Sequence, residues 1–138
     1  MIKIILTTFL LFNLLKADSS YEIKLIESIM LSLYHKDMPI RIYADEETAK
    51  LLQDSHNFKI LTQCNESVKL LIGKNFQELP KECQEKPLFS TNYREFKNNK
   101  NSFGAFYWRK GRPQLKFMSE RVSRFNLTLT KNLRKYTE

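Results

Sequence analysis

Val68-Lys69-Leu70-Leu71-Ile72-Gly73 is the most apolar of the strand-like runs in this chain. A short continuous apolar run suits a central strand covered on both faces. Working outward, Ile40 and Ile42 alternate with Arg41 and Tyr43, which predicts a half-buried strand. Asp45-Glu46-Glu47 then supplies the acidic start that a helix N-terminus favours, and Ala49, Leu51 and Leu52 carry that helix to about Ser55. Phe58-Lys59-Ile60-Leu61 is a second strand, closing a β-α-β unit whose strands normally lie parallel. Downstream, Phe76 to Leu79 is expected to form one helical turn and Pro87-Leu88-Phe89-Ser90-Thr91 another strand. Strands separated by helical segments predict an α/β protein, a small three-layer-type sandwich around a mostly parallel sheet.

The flanks complete the expectation. Leu25, Ile29 and Leu33, with Ile26, Met30 and Tyr34, recur at helical spacing and predict a helix over residues 20–36. Lys97-Asn98-Asn99-Lys100-Asn101 reads as a polar loop. Phe103 to Trp108 and Pro113 to Met118 flank Arg109-Lys110-Gly111-Arg112 and predict a C-terminal β-hairpin. A helix is expected from Ser119 to Phe125, and a terminal helix behind Thr130 as N-cap.

Residues 1–17 carry a secretory pattern. Lys3 precedes an uncharged apolar run from Ile4 to Leu15, and Ala17 offers a small residue at the cut. The run is shorter than the roughly 20 residues that cross a bilayer. The expectation is a cleaved signal peptide over 1–17, then one domain over 18–138 that is exported, soluble and periplasmic. The full sequence has 138 residues and a net charge of +8. Cleavage would remove Lys3 and Lys16 and no acid, leaving +6, a moderate basic excess. Such an excess suits an acidic protein, an anionic surface or a nucleic acid. Cys64 and Cys83, the two cysteines, are expected to pair in an oxidising compartment.

The order of these segments resembles the YfiR-type periplasmic proteins. The resemblance rests on Val68 to Gly73, Pro87 to Thr91, Phe103-Gly104-Ala105 through the hairpin, and Leu115-Lys116-Phe117 followed by Arg121, Phe125-Asn126-Leu127 and Leu133. Asn126 stands where that family usually has Gly, and Asn is the next most tolerant residue of a left-handed backbone. The resemblance implies a regulator that binds the outer domain of an inner-membrane signalling protein, typically a diguanylate cyclase, and holds it inactive; a sensor kinase is the other partner expected. The chain would then meet the membrane only through that partner. Disulfides matter in better known members, but two cysteines are fewer than those members have, so no redox switch is carried over.

Phe106, Tyr107, Trp108, Arg109, Lys110 and Arg112 are the candidate partner-binding residues, because Trp, Tyr and Arg dominate interface hot spots. Strand alternation should put Phe106 and Trp108 on one face and Tyr107 on the other. The same aromatic and basic mixture can stack on single-stranded nucleic acid, but export argues against that partner. Arg121, Arg124, Lys131, Arg134 and Lys135 read as a solvated face that could dock an acidic partner or lipid head groups. An alternative function is a small-molecule module for an anion or amino acid. Arg41, Gly73 and Lys74 would then bind at the carboxyl ends of the strands. No catalytic, metal or cofactor site is expected. His35 and His56 lie in unrelated segments with no nucleophile beside them, and Gly73-Lys74 lacks the glycines of a phosphate loop.

Overall fold

The computed structural model describes residues 20–76 and 78–138. The signal-peptide expectation over 1–17 lies outside the described residues.

The protein is α/β. Helix α1 spans residues 20–34 and passes into a 3₁₀ turn at His35–Asp37. Then follow β1 (Ile40–Ala44), α2 (Glu46–Leu52), β2 (Phe58–Ile60), β3 (Leu70–Gly73) and a 3₁₀ turn at Lys81–Cys83. The chain continues through β4 (Leu88–Ser90), α3 (Tyr93–Asn98), β5 (Ser102–Arg109), β6 (Arg112–Phe117), α4 (Ser119–Arg124) and α5 (Lys131–Arg134). The six strands form one sheet in the order β2-β1-β3-β4-β5-β6. All neighbours are parallel except the β5–β6 hairpin.

The order reverses between β1 and β3. Right-handed crossovers then send α2 to one face and the later connections to the other. On the first face Ile40, Ile42, Leu70, Ile72 and Phe89 meet Ile26, Ile29 and Met30 of α1, Leu52 of α2 and Val122 of α4 in the main core. On the second face α3 buries Phe96 against Ala105 and Tyr107. Beside it the loops around the Cys64–Cys83 disulfide, with Cα atoms 6.2 Å apart, cover Leu71 and Leu88. The third layer of the sandwich is therefore thin, one short helix and a cross-linked loop.

One local expectation is corrected. The polar segment at Lys97–Asn101 begins inside α3, which Asn92 caps by accepting from the Glu95 amide at 2.7 Å. The turn of helix expected at Phe76–Leu79 includes the undescribed Gln77, and the helical turn described in this connection is Lys81–Cys83. Thr130 does hold the N-cap position of α5, but its side chain makes no capping bond.

A bulge lies in β5 opposite Leu88 and Phe89, whose register partners are Ser102 and Gly104. The extra residue, Phe103, turns into the main core together with Phe106. The Phe117 ring then lies over Gly104, where a Cβ would sit 2.7 Å from Phe117 Cδ1.

Candidate functional site

The β5–β6 hairpin ends in a two-residue connection, Lys110-Gly111, with φ of 51° and 74°. Two positive φ values define the type I′ turn, whose twist matches the flanking strands. Gly111 suits it. Lys110 does not, because a left-handed backbone costs a non-glycine residue about 1–2 kcal/mol, and Asn is the usual occupant. Arg109 and Arg112 stand directly opposite each other in register. Like charges facing across an antiparallel pair are destabilising. The tip thus holds three cations in positions that local energetics disfavours. Among the described residues none of them has an ion-pair partner.

The register sorts the candidate residues by face. Phe106 pairs with Leu115 and Trp108 with Pro113 on the α1 side, while Tyr107 pairs with Gln114 and Arg109 with Arg112 on the α3 side. Trp108 is 43% exposed, and its ring meets Phe106 edge-on with centroids 5.7 Å apart. Phe106 and Tyr107 are themselves core residues, 1% and 6% exposed, a correction to their expected role in meeting a partner. Phe106 is covered by α1, with the Tyr21 ring 6.4 Å away. Tyr107 is covered by α3, with the Tyr93 ring at 5.3 Å. The surface that remains is Trp108 on one side of the tip, with Arg109, Lys110 and Arg112 on the other side and at its end.

Arg41, Gly73 and Lys74 do not come together. Arg41 projects from the middle of β1 on the face opposite the main core. Gly73 and Lys74 lie at the reversal point of the sheet, where α/β proteins bind ligands, but Asp45 fills that position. Its carboxylate accepts from the Thr48 amide at 2.9 Å, the Thr48 hydroxyl at 3.0 Å and the Lys74 amide at 2.7 Å. The protein's own carboxylate stands where an anionic ligand would sit. The Lys74 ammonium is also engaged, 2.9 Å from Glu47, which holds its pKa above the ordinary value.

A cleft of about 620 Å³ opens beside this point and reaches from Lys74 and Thr91 to Trp108. Glu22, Glu47 and Asp54 line it, and its ammonium groups, on Lys50 and Lys74, pair with Glu46 and Glu47. Burial, reinforced by Glu47, raises the pKa of Glu22. The acid-rich lining of the cleft disfavours an anion beside Gly73 and Lys74.

The C-terminal cations are also not simply solvated. Arg121 donates to the carbonyls of Phe96 at 2.6 Å, Ser102 at 2.9 Å and Lys97 at 3.4 Å. Arg124 donates to the Lys100 carbonyl and Arg134 to that of Leu129. These arginines tie α4 and α5 to the polypeptide around them. Sequence reasoning missed this, although two of the acceptors, Lys97 and Lys100, lie in the polar Lys97–Asn101 segment.

No family model, curated protein or solved structure matches the chain. Among the described residues no helix is long and apolar enough to cross a membrane, and no group of three or more His, Cys, Asp or Glu could hold a metal ion.

Proposed function

We propose that this protein is an exported, periplasmic regulator of the YfiR-like kind that controls an inner-membrane signalling protein by direct contact. Trp108, Arg109, Lys110 and Arg112 form the contact. The observation that carries this reading is the composition of the hairpin tip. Lys110 occupies a left-handed position and Arg109 faces Arg112, each at a cost to the fold. An anionic surface on a partner would offset both. Trp108 adds a large side chain held against Phe106, so little of its freedom remains to be lost on binding. The strand order, the disulfide and the left-handed Asn126, with φ of 58°, are compatible with the resemblance.

The test is capture of tagged protein with its partners from solubilised native inner membranes, followed by mass spectrometry. The expected result is specific recovery of a diguanylate cyclase or sensor kinase with an outer domain. Trp108→Ala combined with Arg112→Ala should abolish that recovery while the far-ultraviolet circular dichroism stays unchanged. Recovery of nothing beyond a control exported protein would overturn the reading. Undiminished capture by the double variant would move the interface away from the hairpin.

A further inference from the structure

Three cations form a row across the other half of the sheet. Ile40 and Ile42, Phe58 and Ile60, and Leu70 and Ile72 all point into the main core. Strand alternation therefore turns Arg41, Lys59 and Lys69 to the opposite face. Arg41 and Lys59 are register partners, and the Lys69 amide donates to the Arg41 carbonyl at 2.8 Å. Arg41 and Lys59 thus stand on neighbouring strands, about 4.8 Å apart, and Lys69 stands immediately before β3 on the other side of Arg41. All three are exposed, and among the described residues none has an ion-pair partner. Lys86 lies close enough to Lys69 for the two charges to interact. Glu66 is the acid beside them, and its backbone carbonyl, like that of Val68, accepts from the Lys86 ammonium.

Among the described residues no helix covers this face of β1, β2 and β3. α3 packs over β4 and β5, and the disulfide-linked loops cover Tyr43, Leu61 and Leu71 nearer the carboxyl ends of the strands. Among the described residues the large exposed hydrophobic side chains are Tyr21, Leu31, Tyr93, Trp108 and Tyr136, none of which belongs to β1, β2, β3 or the loops beside the row. Protein-protein hot spots are enriched in Trp, Tyr and Arg, and of these the row offers Arg41 with no exposed aromatic beside it. Lipid head groups need only positive charge on an accessible surface.

We propose that Arg41, Lys59 and Lys69 dock the protein on an anionic bilayer surface. This departs from the expectation that the chain meets the membrane only through its partner. The row and the hairpin tip are separate surfaces, so the row can lie against lipid while the tip engages a protein. The docking is electrostatic, without insertion, and weakens as salt shortens the screening length.

The test is co-sedimentation of the purified protein with vesicles, free of any partner protein, so that it reads the row independently of the hairpin. Phosphatidylcholine vesicles containing phosphatidylglycerol should bind the protein at low salt, and pure phosphatidylcholine vesicles should not. The variant Arg41→Gln, Lys59→Gln, Lys69→Gln should lose about 100-fold in partitioning, about five-fold per charge. A second variant, Lys97→Gln, Lys131→Gln, Lys135→Gln, removes the same charge elsewhere and should lose far less. Thermal unfolding confirms that both remain folded. Equal losses in the two variants would assign the binding to net charge and overturn the proposal. So would failure of the wild type to bind the anionic vesicles. If the row variant sediments like the wild type yet captures less inner-membrane protein, the row is a protein-docking surface and the proposal is likewise overturned.

Discussion

The Oδ2 atom of Asp45 occupies the space a side chain on Gly73 would need. A Cβ built on Gly73 would lie 1.9 Å from that oxygen, and the Gly73 backbone has φ of 140°. The same oxygen accepts from the Lys74 amide, so one carboxylate caps α2 and fastens the end of β3. Gly73→Ala should therefore destabilise the fold by about 2–3 kcal/mol, through backbone strain and displacement of Asp45. Asp45→Ala alone should cost about 1–2 kcal/mol as a lost cap and amide acceptor. The double variant should cost less than the sum, because the clash disappears with the carboxylate. Urea unfolding of the three variants checks this, and simple additivity would contradict the shared-space account.

The hairpin turn predicts a conflict between stability and function. Lys110→Asn places a residue tolerant of the left-handed region at φ of 51°. It should stabilise the fold by about 1 kcal/mol, measured by urea unfolding, and weaken partner capture. Stabilisation with full capture would remove Lys110 from the contact.

Arg121 should prove a structural residue. Arg121→Lys retains the charge but not the fork that reaches Phe96, Ser102 and Lys97 together. Both Arg121→Lys and Arg121→Ala should cost about 1–3 kcal/mol by urea unfolding, with alanine the worse. A neutral lysine variant would mean that charge alone suffices.

The pH dependence of Glu22 has a definite sign. Burial and Glu47 raise its folded pKa above the ordinary 4.5, so folding favours the protonated form. That contribution is complete below the unfolded value and is lost as pH rises through the raised one. Glu22→Gln should therefore raise the melting temperature at neutral pH and change it little in acid. Because Glu22 keeps partial contact with water, the gain should be modest. An equal gain at both pH values would assign the effect to packing.

The pairing of the two cysteines followed from the export pattern, and local pattern alone determined the α/β class, the central position of Val68–Gly73 and the hairpin. Each rests on contrasts between near neighbours in the chain. Apolar alternation selects the buried side of β1 and β2, and continuous apolarity marks β3 as covered on both faces. α3 was legible in principle, since Asn92 and Glu95 stand at capping spacing, but the surrounding Lys and Asn residues read as loop. The site was legible only as a stretch. Alternation separates Phe106 from Tyr107, yet cannot reveal that α1 covers one and α3 the other. Nor can it show that a bulge turns Phe103 into the core. The tertiary structure alone decided that Asp45 fills the place proposed for an anion, and that Arg41 joins Lys59 and Lys69 instead of Lys74. Those outcomes depend on strand order and on crossovers that bring distant segments together. Short-range periodicity carries no information about which strand becomes whose neighbour.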